Sequence, residues 1–174
     1  KSMAEGSWIR RMFEEGIALK QRFGPANVFD LSLGNPIMEP PPEFQRELRR
    51  LADSPQAGMH RYMENAGYVE TRSAVARQSS LDTGVDFTAD DIVMTCGAAA
   101  ALNVVLKTII EPGDEVILLA PYFAEYAHYI SHAYGVARVA PTDDQFMPDL
   151  TSLEKAIGPR TRALIINSPN NPTG

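Results

Sequence analysis

Three short segments of this sequence combine residue types that could bind a flat, phosphorylated ligand. They read TCGAAA at 95–100, APYFAEY at 120–126 and NSPNNPTG at 167–174. In the first, a glycine lets a strand turn directly into a helix, whose free N–H groups and dipole favour a phosphate. Small residues that let a helix pack closely on a strand would give the same pattern.

The other two segments offer groups for an aromatic ligand. An aromatic side chain at 120–126 could stack on a planar ring, although an aromatic after a strand is also common in a core. The asparagine amides at 167–174 both donate and accept hydrogen bonds, so they could orient a ring hydroxyl. Asn, Pro and Gly are also ordinary turn residues, but this run after a buried strand is more specific than a turn requires.

Alternating helices and strands must position these segments. Apolar periodicity predicts helices at about 7–22, 43–51, 68–80, 98–110, 123–133 and 153–157, and strands at 28–33, 92–95, 115–120, 136–139 and 162–166. The strands EVILLA and RALII are apolar on both faces, which is typical of a parallel sheet covered by helices on both sides. The sequence therefore predicts an α/β fold. In such sheets ligands bind at the carboxyl ends of the strands, and all three segments follow predicted strands.

Taken in order, the motifs of the chain resemble those of the class I and II aminotransferases, pyridoxal-phosphate (PLP) enzymes of fold type I. The order is LSLGNP at 31–36, Tyr62 with Gly67, Gly97 with Ala98, PGDEV at 112–116, Pro121 with Tyr126, and NNPTG at 170–174. The resemblance spans essentially the whole chain. It implies a three-layer αβα architecture with a mostly parallel sheet, incomplete in this chain.

The resemblance also implies cofactor contacts within one subunit. The backbone N–H groups of Ala98 and Ala99 would bind the PLP phosphate, Phe123 would stack on the pyridine ring, and Asn171 would hydrogen-bond the ring's 3-hydroxyl oxygen. Many relatives carry a hydroxyl or amide side chain where this chain has three alanines, so backbone donors must suffice here. Alternatively, Phe123 is a core residue and Asn171 a turn residue.

Two further positions imply contacts to substrate and to a second subunit. Gly34 would lie where the backbone meets the substrate carboxylate, and Tyr62 would reach the cofactor phosphate of the neighbouring subunit. The resemblance thus implies a homodimer with shared active sites. A turn glycine and a packing tyrosine are the alternatives.

No catalytic residue is expected in this chain. In the family a lysine forms a Schiff base with PLP, an aspartate pairs with the pyridine nitrogen and arginines hold phosphate and substrate, all after the NPTG motif. The lysines present, Lys1, Lys20, Lys107 and Lys155, match no such position. We therefore expect a fragment, inactive alone, with 1–42 as the N-terminal arm and part of the small domain and 43–174 as the first part of the large PLP-binding domain.

The function implied by the resemblance is amino transfer between an α-amino acid and a 2-oxo acid, in amino-acid metabolism. A β-lyase or a ring-forming synthase of the same fold type would have similar motifs. A non-catalytic sensor domain of a transcription regulator would need a DNA-binding domain ahead of LSLGNP, where only about thirty residues stand. A plain nucleotide-binding domain is not favoured, because no G-x-G-x-x-G follows a strand.

Composition excludes other classes of function. The net charge of −6 comes without a basic stripe, so no nucleic-acid partner is expected, and the arginines at 46, 49 and 50 are interpreted as a solvated helix face. No apolar run approaches a membrane span, and we expect no membrane association. The single cysteine, Cys96, cannot form an internal disulfide, which favours the cytoplasm. We interpret Cys96 as a small buried residue. His128 and His132 lack a third ligand, so no metal site is expected.

Overall fold

A computed structural model describes residues 8–31, 34 and 38–174 of the chain, with side chains from residue 11 onward. These residues form two compact units that divide between residues 61 and 62. The division of the whole protein into a small and a large domain near residue 43 stays a prediction.

The first unit contains two helices, α1 (Trp8–Phe23) and α2 (Pro42–Asp53). Both confirm predicted helices, and α2 begins at a proline, which suits a first helical turn because the missing N–H would have no partner there. On α2, ion pairs of 2.8 Å and 2.7 Å join Glu43 to Arg46 and Glu47 to Arg50, all of them exposed. The basic residues of this stretch therefore form a solvated helix face, as predicted.

The strand predicted at 28–33 is wrong for residues 28–31, and residues 32 and 33 lie outside the described residues. Val28 has extended backbone angles, but the described part of the first unit offers no second strand with which it could pair. Phe29 and Leu31 are 93% exposed, so in this chain the apolar alternation of the segment does not mark a buried face.

The second unit has the predicted alternation of helices and strands. Its elements are α3 (Val69–Thr83), α4 (Gly97–Ile109), β1 (Glu115–Ala120), α5 (Glu125–His132), β2 (Val136–Pro141), α6 (Leu150–Ala156) and β3 (Thr161–Ile165). The helix predicted at 68–80 ends at Thr83, three residues later than expected, and Gly84 follows it in the left-handed conformation that commonly closes a helix. The structure confirms the α/β class.

The three strands form one parallel sheet in the order β2-β1-β3. The central strand β1 is buried on both faces, with Val116, Ile117 and Leu118 at most 1% exposed. On one face Val116 and Leu118 pack against Leu106 of α4 and Ile130 of α5. Burying an aliphatic side chain of this size contributes roughly 1.5–3 kcal/mol, so this core holds α4 and α5 against β1.

The strand predicted at 92–95 is also wrong. The segment is extended at Ile92, but among the described residues no strand pairs with it; Met94 N donates instead to the Ala66 carbonyl at 2.9 Å.

The edge strands are also less covered than their apolar sequences indicate, since Val139 of β2 and Leu164 of β3 are 52% and 36% exposed. None of the helices built from the described residues is long and apolar enough to cross a membrane.

Candidate functional site

The carboxyl ends of β1 and β3 bring together two of the three segments singled out from the sequence. The loop after β1 leads through Pro121 to Phe123, and the loop after β3 contains residues 167–174. The side chain of Asn170 joins them, because its Nδ2 donates to the Pro121 carbonyl at 3.1 Å and to Thr173 Oγ1 at 2.8 Å. These two segments therefore lie close together at the carboxyl edge of the sheet.

A second side-chain hydrogen bond joins the end of β1 to the residue that follows β2, the other neighbouring strand. Thr142, which directly follows β2, donates its hydroxyl to the Ala120 carbonyl at 2.7 Å. The motifs of the sequence do not predict that Asn170 and Thr142 join these segments. Their types gave no signal that distinguishes them from other turn residues, because their partners lie 49 and 22 residues away.

Phe123 lies in the short loop between β1 and α5. Its ring is half-buried and meets the ring of Tyr126 edge-on, with 5.5 Å between centroids and an interplanar angle of 84°. This arrangement leaves part of the ring exposed at the edge of the sheet.

Asn171 differs from its neighbour in the chain. It is exposed, and within the described part of the chain its amide makes no hydrogen bond, whereas Asn170 uses its amide to tie two loops together. Of the two asparagines, Asn170 therefore stabilises the loop, and Asn171 has donor and acceptor groups available for a ligand.

The remaining segment, TCGAAA at 95–100, forms the N-terminus of α4. Gly97 has a φ of +81°, and a Cβ placed on it would have nothing within 4 Å, so the space in front of this turn is open. The N-cap residue Cys96 makes no capping bond with its side chain, and Ala98 and Ala99 are exposed. The N–H groups of the first helical turn have no acceptor within the helix. Cys96 itself is exposed, so its interpretation as a buried residue is wrong.

A cavity of about 310 Å³ lies beside the two joined loops. Leu118, Tyr122, Tyr126 and Asn170 are among its lining residues, together with the turn after β2. Ala98, Ala99, Phe123 and Asn171 do not line it. The cavity is thus a neighbour of the candidate site rather than the site itself.

Tyr129 on α5 is not a candidate base for this site. It packs against the hydrophobic core, and burial raises its pKa above the ordinary value, with Glu125 and Tyr126 adding to the effect. Since the ordinary pKa of tyrosine is about 10, the phenol stays protonated at neutral pH.

Tyr62 and Gly34 lie in different units. Tyr62 begins the second unit and is fully exposed; a turn with a hydrogen bond from Gly67 N to the Glu64 carbonyl follows it. Gly34 belongs to the first unit, and a Cβ placed on it would have nothing within 4 Å. Their roles toward cofactor and substrate stay predictions.

The chain is similar to known proteins over most of its length. Residues 26–174 match the family model described as aminotransferase class I and II. The chain is 37% identical over 159 residues to a probable aspartate/prephenate aminotransferase of Thermus aquaticus, which covers 90% of this chain and 41% of that protein. It is 36% identical over 168 residues to a probable N-succinyldiaminopimelate aminotransferase of Mycobacterium tuberculosis, with 94% and 41% covered.

Solved structures are similar over almost the whole chain. An aminotransferase from Eubacterium rectale superposes with a TM-score of 0.90 at 37% identity, covering 95% of this chain and 42% of that one. A single mutant of Thermus thermophilus aspartate aminotransferase gives a TM-score of 0.84 at 32% identity, covering 97% and 43%. The chain thus spans about two fifths of the length of the relatives it matches.

Proposed function

Because the chain belongs to the class I and II aminotransferase family, we propose that the protein carrying it is a PLP-dependent aminotransferase that moves an amino group between an α-amino acid and a 2-oxo acid. The class I and II aminotransferase family is PLP-dependent. The observation that carries the proposal is the pairing of the 121–124 and 167–174 loops by Asn170, which leaves Asn171 and part of the Phe123 ring available at the carboxyl edge of the sheet.

The residues of the three segments fit the chemical groups of PLP. The open turn at Gly97 leads into a helix of 13 residues, whose first-turn N–H groups and positive dipole end suit a phosphate dianion. The exposed alanines at 98 and 99 leave the phosphate free to approach the backbone. We propose that these backbone donors bind the phosphate without help from a side chain of residues 98–100.

The ring-binding roles follow from side-chain chemistry. The Asn171 amide can donate an N–H to the 3-oxygen of the pyridine ring, and Phe123 can stack on the ring face. When bound, PLP supplies an electron sink for negative charge at the α-carbon of the substrate. The residues of this chain bind and orient the ring, and we propose that the cofactor lysine, the aspartate for the ring nitrogen and the substrate arginine come from the remainder of the protein.

The proposal extends to partners. We propose a homodimer in which Tyr62 reaches the phosphate site of the neighbour, and its full exposure supports a role outside its own unit. Gly34 is proposed to meet the substrate carboxylate. A cytoplasmic location stays a prediction.

The test uses the full-length protein supplied with PLP. Amino donors are incubated with 2-oxo acid acceptors. Acidic and aromatic donors are tested first, because relatives are named for aspartate and for aromatic amino acids. We expect the new amino acid and the new 2-oxo acid to form in equal amounts. Release of ammonia from a donor without amino transfer would indicate a lyase instead, and PLP binding without turnover of any donor would indicate a sensor. Failure to bind PLP would contradict the proposal as a whole.

Replacing Phe123 by leucine is expected to weaken PLP binding several-fold in the full-length protein. Aromatic stacking contributes roughly 0.5–1.5 kcal/mol beyond area burial, a factor of about 2–10 in affinity. The measurement is the dissociation constant of PLP by absorbance or fluorescence titration. Phe123→Tyr is the matched control, because it keeps the ring and should keep the affinity. An unchanged PLP affinity in Phe123→Leu would assign Phe123 to the core.

A further inference from the structure

Arg72 is a buried cation with an unusual set of partners. It lies near the start of α3 and is 7% exposed. Its Nε donates to the Gly67 carbonyl at 3.0 Å, its Nη1 to the Ala89 carbonyl at 2.6 Å and its Nη2 to Glu64 Oε2 at 3.0 Å. The carboxylate of Asp90 lies 3.7 Å from Nη1. A guanidinium is planar and rigid, so these bonds fix the acceptors relative to one another.

The acceptors belong to two segments that are far apart in the chain. One is the turn at 64–67, two residues after Tyr62; the other is the 3-10 turn Ala89–Asp91, which leads toward the N-terminus of α4. Arg72 therefore connects the turn that follows Tyr62 to the turn that precedes Ala98 and Ala99, the residues of the proposed phosphate contacts.

A backbone contact joins the same two segments. Met94 N donates to the Ala66 carbonyl at 2.9 Å. Gly67 has a φ of +98°, and a Cβ placed on it would lie 2.8 Å from Met94 Cγ. The two segments thus approach so closely that a side chain at 67 has no room, and the Arg72 guanidinium lies at this junction.

We propose that Arg72 is a positioning residue that locks the Tyr62 segment to the segment entering α4. The inference rests on the proposed function. In a dimer with shared sites, Tyr62 serves the phosphate of the neighbour and the α4 N-terminus serves the phosphate of its own subunit. Arg72 then fixes the position of Tyr62, which contacts the phosphate of the neighbour's site, relative to the α4 N-terminus, which contacts the phosphate of its own site.

The first experiment replaces Arg72 by lysine in the full-length protein. An ammonium keeps the charge but cannot reproduce the planar fork that reaches three acceptors. Losing a hydrogen bond to a charged group typically weakens an interaction by about 10-fold or more, so we expect the dissociation constant of PLP to rise by about 10-fold or more. The dissociation constant of pyridoxal, which has no phosphate, should stay within about twofold, because the positioning acts on phosphate contacts.

The matched control is Arg77→Lys, the same substitution on the same helix. Arg77 is exposed and, in the part of the chain that the structure describes, makes no hydrogen bond or ion pair. Both dissociation constants should remain those of the unmodified protein. If Arg72→Lys fails to fold, Glu64→Gln removes the charge from one exposed partner of Arg72 and should raise the PLP constant in the same direction by a smaller factor.

A double-mutant cycle with Tyr62→Phe tests the route of the effect. If Arg72 acts by placing Tyr62, Arg72→Lys should cost less PLP affinity in the Tyr62→Phe background than alone. Equal losses in both backgrounds would overturn the proposal, as would unchanged PLP affinity in folded Arg72→Lys or equal losses for PLP and pyridoxal. These results presuppose that the unmodified protein binds PLP; if it does not, the proposed function itself fails.

Discussion

Replacing Asn171 by aspartate in the full-length protein is expected to lower kcat/KM for amino transfer by about 100-fold or more without unfolding the protein. A hydrogen bond to a charged group is worth about 1.5–3 kcal/mol, and the carboxylate both loses this donor and repels an ionised ring oxygen. The fold should tolerate the change, because Asn171 is exposed and its amide makes no hydrogen bond within the described residues. Steady-state kinetics and thermal unfolding provide the two measurements.

The pH dependence of PLP absorbance gives Asn171 a second readout. A hydrogen-bond donor to the ionised 3-oxygen stabilises the form of PLP in which this oxygen is charged, and it therefore lowers the pKa of the bound cofactor. Asn171→Ala removes the donor without adding charge, so the midpoint of the absorbance titration should move to higher pH. An identical titration curve would mean that Asn171 only shapes the turn.

Asn170 is the natural contrast to Asn171. Asn170→Ala removes the bonds to the Pro121 carbonyl and Thr173 Oγ1 that join the loops after β1 and β3. We expect it to reduce the free energy of unfolding by about 1–3 kcal/mol, with any loss of activity following from displaced loops. If Asn170→Ala and Asn171→Asp gave the same profile of stability and activity, the division of roles between the two residues would be wrong.

The sequence predicts the central strand β1 well because its burial is encoded locally. The run EVILLA is apolar on both faces, and the observed strand has the same bounds, Glu115–Ala120. Residues 92–95 have similar composition, but a strand also needs a neighbour in register, and this requirement depends on segments remote in the chain. Apolar composition therefore predicted the extended backbone, but it could not show that among the described residues no neighbouring strand pairs with it.

Site residues can be predicted where a motif specifies them. They cannot be predicted where their role depends on hydrogen-bond partners or packing from remote parts of the chain. The NNPTG run marked Asn171, but which of two adjacent asparagines ties the loops depends on a carbonyl 49 residues away. Arg72 was not recognised for the same reason: its acceptors come from separate turns, one of them 17 residues on. The exposure of Cys96 likewise depends on what packs over the turn, which its residue type does not reveal.

Trans-complementation between two defective subunits is expected to restore activity if the proposed dimer shares its sites. Tyr62→Asp places a negative charge where Tyr62 would meet the neighbour's phosphate, and Asn171→Asp disables the site of its own subunit. In a hybrid dimer, the Tyr62→Asp subunit keeps its own Asn171 and receives an intact Tyr62 from its partner. One of the two sites is then complete, so hybrids purified through two different tags should show about half the activity of the unmodified dimer.

The cis arrangement of the same two substitutions is the matched control for this experiment. When one subunit carries both Tyr62→Asp and Asn171→Asp and the other carries neither, each site of the hybrid has one defect, and the dimer should be nearly inactive. The full exposure of Tyr62 is what favours the trans result, because its own unit does not enclose its side chain. If Tyr62 served its own subunit instead, the pattern would reverse: the cis hybrid would keep about half the activity and the trans hybrid would have none. A fully active monomer in sedimentation would contradict the shared site altogether.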